Sequence, residues 1–287
     1  MTKLFVFFSF LIFYKPIFAD CSKAENTSRV IIAGGSITET LFFLNSYENI
    51  VAVDSTSNFP EEAKSFPSIG YVRALSAEGV LSLNPTLIIG ESDMGPENVV
   101  QQIKKTKIEL RILDENNSIQ GIEEKILCIA NILGKNEKDS SVKNENFDKS
   151  INKLKIISGI NSKKNIKGLV ILMMRGTSPV IAGRNTSGGD FLKMIGSQNS
   201  MNSFEGWKPV GKESILISDP DFILVTKRAI KNYRSLNAFL KESGIEMTKA
   251  ARSNNVYPLD GMSFLGFGPR TINSGLELSN KLNEKFK

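Results

Sequence analysis

The 287-residue chain contains no histidine. Imidazole is the commonest metal ligand and general base, so this absence excludes His-ligated zinc sites, Ser-His-Asp triads and bis-histidine haem. Cysteine is nearly missing as well. Cys21 and Cys128 are the only two, too few ligands for an iron–sulfur cluster once histidine is gone. There is no block of like charges and no helix-turn-helix or RNA-binding signature, which argues against a nucleic-acid partner. No Gly-rich phosphate loop follows a strand, and Gly34-Gly35-Ser36 is too short to stand in for one. Together these gaps leave little for an enzyme to work with and point to a protein that binds rather than converts.

What is present begins with an export signal. Lys3 precedes an apolar run from Leu4 to Phe13, and small Ala19 closes the segment before Asp20. That run is shorter than the roughly 20 residues needed to span a bilayer, and no later stretch is long enough. Residues 1–19 therefore read as a signal peptide cleaved near Ala19, leaving a soluble exported protein. Cys21 lies close behind, but charged Asp20 before it disfavours lipidation. The formal net charge is +6, with two of the lysines in the leader. A mild basic excess suits an anionic ligand. An oxidising compartment would permit a Cys21–Cys128 bridge. Cys128 sits in an apolar helical pattern with Ile122, Ile126, Ile129, Ile132 and Leu133, so it is read as a buried small hydrophobe rather than a disulfide partner.

Short apolar runs alternate with helical patterns, the mark of an α/β chain. Strands are expected at 29–33, 50–53, 86–89 and 109–113, with helices at 38–44, 77–83, 96–105 and 119–133. After a break the pattern restarts, with strands at 168–173, 180–182, 222–226 and 256–259 and helices near 190–195, 213–217, 233–242 and 271–285. The polar stretch between them keeps Val142, Phe147, Ile151, Leu154 and Ile157 near helical spacing, which predicts one long connecting helix over 135–167. The division is thus a leader at 1–19, an N-terminal lobe at 20–134, the connector, and a C-terminal lobe at 168–287. An internal echo supports two lobes. Glu78 begins a helix seven residues before Pro85 and the strand Leu87-Ile88-Ile89, and Glu213 does the same before Pro220 and Phe222-Ile223-Leu224. Either glutamate alone would be a helix-starting acid favoured by the helix dipole; the pair suggests a shared docking role.

Four segments carry a family resemblance: Arg29-Val-Ile-Ile-Ala-Gly-Gly-Ser-Ile-Thr-Glu39, Gly70-Tyr-Val-Arg-Ala-Leu-Ser-Ala-Glu-Gly-Val-Leu81, Ala182-Gly-Arg-Asn-Thr186 and Leu265-Gly-Phe-Gly-Pro-Arg-Thr271. They resemble the periplasmic haem-binding components of bacterial haem ABC importers, within the vitamin B12 and siderophore-binding group. The resemblance implies a class III periplasmic binding protein: two α/β lobes, a rigid bridging helix and a ligand cleft between lobes. It implies haem b as transported ligand with no catalytic cofactor, a monomer, and an ABC transporter permease dimer in the inner membrane as partner. Other members of the group carry a ferric siderophore or cobalamin, and a haem scavenger without a transporter is a further alternative.

Tyr71 matches the family's axial iron ligand. Ferric iron favours an anionic phenolate, and a phenol ionises only near pH 10, so a cation must stabilise it. Arg73, two residues on in an extended segment, would share its face. Some members add a histidine from the second lobe; here that loop reads Met173-Met174-Arg175-Gly176. The iron is then five-coordinate, or a methionine completes it, or Arg175 contacts a propionate. A thioether mates poorly with ferric phenolate, so Arg175 is taken as the propionate or pocket contact with Met174 packing nearby. Met262, Phe264 and Phe267 follow the last strand and are candidates for the cleft wall, with core burial as the alternative. Among Arg184, Lys227 and Arg228, which follow second-lobe strands, Arg228 is the candidate carboxylate partner. In the wider group a glutamate on each lobe meets arginines on the two permease subunits, the role the resemblance implies for Glu78 and Glu213.

Overall fold

The computed structural model describes residues 20–135, 139 and 142–287; the expected signal peptide and its cleavage point near Ala19 lie outside them. The first half runs β1 (Val30–Ala33), α1 (Gly35–Phe43), β2 (Ile50–Val53), α2 (Ala77–Leu81), β3 (Leu87–Glu91), α3 (Glu97–Lys104), β4 (Glu109–Leu113) and α4 (Ile119–Ile132). All four strands are parallel, in the order β2-β1-β3-β4. Helix α5 (Glu145–Asn161) then leads to the second half.

That half contains β5 (Lys167–Arg175), β6 (Ser178–Ala182), α6 (Ser187–Met194), β7 (Gln198–Asn199), β8 (Trp207–Pro209), α7 (Lys212–Ser218), β9 (Phe222–Thr226), α8 (Lys227–Ile230), α9 (Leu236–Glu242), α10 (Lys249–Arg252), β10 (Val256–Leu259), α11 (Gly261–Leu265) and α12 (Pro269–Lys285). Its sheet is mixed. β10, β9 and β5 are parallel, β6 runs antiparallel to both β5 and β8, and β7 pairs with β5. These are two α/β lobes joined by one long helix.

Strand periodicity decides which core each side chain enters. Val30 and Ile32 face one core and Ile31 and Ala33 another; Phe222 and Leu224 share the first, while Ile223 and Val225 face a third. The inner faces of both sheets therefore close on a common core, with α1, α4, α5, α6, α11 and α12 contributing Leu41, Ile129, Leu154, Phe191, Phe264 and Leu282. Each lobe keeps an outer core of its own.

The connecting helix is shorter than expected. It occupies 145–161 rather than all of 135–167, starting where the Asn144 side chain accepts from the Phe147 N–H. Ile151 and Leu154 are its buried stripe, and α12 packs along it. Gly275 makes that approach close, since a Cβ there would lie 3.3 Å from Leu154 Cδ2 and 3.0 Å from Met194 Cε. α12 also touches α1 and α4, so a second element crosses back to the first lobe.

One expectation is reversed. Cys21 and Cys128 are joined in a disulfide. Cys128 is buried as its apolar setting predicts, but α4 carries it to the place where the chain enters the first lobe, and the bond ties that entry down.

Candidate ligand cleft

In parallel α/β sheets, ligands sit beyond the carboxyl ends of the strands, and the first-lobe residues of interest collect there. β1 is followed by Gly34, whose φ of 152° brings the chain against Glu91 at the end of β3; a Cβ would lie 2.5 Å from Glu91 Cδ. Asp54, after β2, accepts from the Gly34 and Thr56 N–H groups and from both the Thr56 and Ser57 hydroxyls. The Ser55 N–H donates to the Gly70 carbonyl. This fixes the approach to Tyr71.

Tyr71 is 45% exposed. It opens a hydrogen-bonded turn, closed by the Ala74 N–H donating to the Tyr71 carbonyl at 2.8 Å. The extended segment expected here is therefore absent; Gly70, at φ 88°, turns the chain instead. Arg73 shares that turn with Tyr71 and makes no hydrogen bond to its phenol among the described residues. Burial works against its charge, but the hydrogen bond and charge of Asp93 outweigh this and, with Tyr71 and Glu115 adding, raise its pKa. Arg73 Nε donates to Asp93 Oδ2 at 2.6 Å, and Nη2 lies 2.5 Å from the same oxygen.

Beneath the turn is an acidic cluster that sequence reasoning missed. Carboxylate oxygens of Glu91, Asp93 and Glu115 lie within 4.8 Å of one another. Burial pushes Glu91 up to about 7, with Glu115 and Asp93 adding; the Lys125 charge and the Ser36 hydrogen bond draw it down. Glu115 is raised by burial and by Asp93. Buried Lys125 donates to Ser36 Oγ at 2.8 Å and to the Phe267 carbonyl at 3.3 Å, and the Ser36 hydroxyl donates to Glu91 at 2.6 Å. The signal available in the sequence was position alone: Glu91 ends a strand, and Asp93 and Glu115 follow strands.

On the second lobe, β5 and β9 run parallel, but β5 continues past the end of β9 to Arg175, at the turn of its hairpin with β6. Arg175 is the exposed last residue of β5, and α8, which follows β9 and packs against β5, carries exposed Lys227 and Arg228. None of the three side chains has a hydrogen-bond or salt-bridge partner among the described residues. Met174 packs on the outer core of its lobe. Arg184 donates to the Asn202 carbonyl, away from this group. No hydrogen bond or ion pair among the described residues links Tyr71 or Arg73 to Arg175 or Arg228.

The wall role for Phe264 and Phe267 gives way. They are 0% and 1% exposed, with Phe264 edge-on to Phe191 at 5.4 Å. Both rings belong to the common core and offer no surface to a ligand here. Met262 instead packs its methyl against Gly35 at the start of α1, a contact between lobes.

Glu78 and Glu213 are exposed in the first turns of α2 and α7 and have no partner among the described residues. The echo between them extends to the backbone. Asn84 and Asp219, each six residues on and directly before a proline, both adopt a left-handed conformation, at φ 47° and 42°. A cavity of about 240 Å³ lies elsewhere, between α1, Phe59-Pro60 and α12, lined by Glu39, Phe43, Phe147 and Arg270 among others.

Comparison with known proteins places this arrangement. The sequence model of a periplasmic binding protein family matches residues 30–262. An uncharacterised ABC transporter substrate-binding lipoprotein, YvrC of Bacillus subtilis, is 26% identical over 92% of this chain and 82% of its own. The vitamin B12-binding protein of Pectobacterium atrosepticum is 22% identical over 69% of this chain and 71% of its own. Among solved structures, the periplasmic heme-binding protein RhuT from Roseiflexus sp. RS-1 superposes with a TM-score of 0.80 at 29% identity, covering 91% of this chain and 100% of that one. The heme-binding protein HutB of Vibrio cholerae gives 0.77 at 29% identity, covering 90% and 99%. With matching sequence over most of its length and the same two-lobed architecture, the chain belongs to the periplasmic binding protein family, the solute-binding components of ABC importers.

Proposed function

We propose that the protein captures haem in the periplasm as a monomer and delivers it to an ABC importer, without catalysing a reaction. The observation that carries this reading is the exposed Tyr71, set in a turn at the carboxyl edge of the first sheet together with Arg73, which is bonded to Asp93. A hard ferric iron takes a phenolate oxygen, and the guanidinium favours the ionised form. In a chain without histidine, Tyr71 is the side chain suited to the axial role. The cations Arg175 and Arg228, with Lys227, exposed on the second lobe and without a side-chain partner among the described residues, supply pairing for two propionates, and Met174 packs nearby. Glu78 and Glu213 serve as the docking pair for two permease subunits. Export accords with the family.

The test is titration of purified protein with ferric haem. The expected result is a Soret band with a phenolate charge-transfer feature, lost in Tyr71→Ala. An unchanged spectrum and affinity in that variant would remove Tyr71 from the site. The vitamin B12-binding relatives favour cobalamin as a second reading. Binding of cobalamin with no spectral response to haem would select it.

A further inference from the structure

We propose that Asp93 is the positioning residue of the Tyr71 site, holding the Arg73 guanidinium in the orientation from which it stabilises the phenolate; this rests on the haem reading above. The loop carrying Asp93 and the turn carrying Tyr71 and Arg73 are a single backbone unit. The Gly95 N–H donates to the Val72 carbonyl and the Leu75 N–H to the Gly95 carbonyl, both at 2.9 Å. Val72 and Leu75 anchor the turn in the outer core of the first lobe. Asp93, two residues before Gly95, is therefore fixed relative to Arg73 before any side chain is considered.

Arg73 is 62% exposed, so water would solvate it without help, and an ion pair so open adds little to folding. Left to itself, a side chain with that freedom samples many rotamers. Asp93 removes the freedom by taking Nε and Nη2 with one oxygen, leaving the Nη1 edge unengaged among the described residues. Keeping a carboxylate there is costly. Its other oxygen is buried without a hydrogen bond, and it stands against Glu91 and Glu115. A residue that gains little stability and sits beside two like charges is accounted for by what it does to Arg73. Ligand-supporting groups of this kind govern affinity through the ligand they orient.

The experiment compares Asp93→Ala, Asp93→Asn and Glu115→Gln in the full-length exported protein loaded with ferric haem. Asp93→Ala is expected to speed haem transfer to a scavenging apoprotein about tenfold, to shift the phenolate-to-iron charge-transfer band, and to raise the pH below which that band is lost. Asp93→Asn keeps an acceptor for Arg73 and is expected to restore most of both readouts. Glu115→Gln, near Arg73 but not bonded to it, is expected to leave the band in place. In a Tyr71→Ala background, Asp93→Ala is expected to add nothing further. A lowered melting temperature with band and transfer rate unchanged would make Asp93 a structural residue and overturn the proposal. If Tyr71→Ala itself left haem binding intact, Tyr71 would leave the site and the proposal would fall with it; if the parent protein gave no spectral response to haem, the haem reading itself would fall; a normal Tyr71→Ala loss beside an unaffected Asp93→Ala overturns the positioning role alone.

Discussion

Arg270, in the first turn of α12, reaches across the lobe boundary to Glu39 on α1, with Nη2 2.7 Å from Oε1. The same nitrogen lies 3.0 Å from Asp260, and the guanidinium sits 4.0 Å from the centre of the Phe59 ring. Glu39 is 5% exposed, and its Oε2 has no hydrogen bond. Burial outweighs the Arg270 charge and hydrogen bond and pushes Glu39 up to about 7, with Asp260 adding and Lys125 opposing.

A carboxyl raised in this way makes stability fall as pH rises. Between its ordinary value near 4.5 and about 7, the folded protein keeps a proton that the unfolded chain has released, so folding weakens across that window and levels off above it. Glu39→Gln is expected to match the parent near pH 5 and to be more stable by about 2 kcal/mol at pH 8. Arg270→Ala, which strands the buried acid, is expected to cost about 3 kcal/mol. Thermal melts at the two pH values check both; a Glu39→Gln effect independent of pH would refute the assignment.

Reduction of the Cys21–Cys128 bond is expected to destabilise the protein. The bond closes a loop with a sequence separation of 107, for which chain entropy predicts about 4–5 kcal/mol. Melting with and without reductant measures this, and Cys128→Ala should reproduce the reduced value.

Phe264→Ala is expected to cost about 3–5 kcal/mol, the usual price of emptying an aromatic site in a core. Haem affinity per folded molecule should stay unchanged, because the ring is fully buried. A selective loss of affinity in a stable variant would return Phe264 to the cleft wall.

Reversing Glu78 and Glu213 to lysine is expected to leave haem binding intact and to abolish importer-dependent uptake. Both side chains are exposed and unpaired among the described residues, so the fold should tolerate the change. Unchanged uptake would support a scavenger without a transporter.

Strand and helix positions were legible wherever one periodicity ran long enough, as in the β1 and β9 alternation and the α4 stripe. β7 and β8 were missed because two or three residues carry no period, and Pro209 at the end of β8 argues against a strand. The α5 start was obscured by a polar stretch that no spacing could bound. The disulfide was hidden because an apolar helix face and a bonding partner make the same demand on Cys128: burial. Tyr71 and Arg73 were named through the family resemblance, but the turn that carries them is set by Gly70 and by hydrogen bonds to Gly95, which sequence spacing does not reveal. The cluster of Glu91, Asp93 and Glu115 comes from two strand ends that only the β3–β4 pairing brings together.

The common core has a mechanical meaning. Swinging the lobes apart would peel the inner faces of both sheets from α5 and α12 and would unseat the Gly275 contact with Leu154. Such an opening is paid for in exposed core rather than in the bending of a linker. A join of this kind is expected to select solutes by fit more than by closure of the lobes.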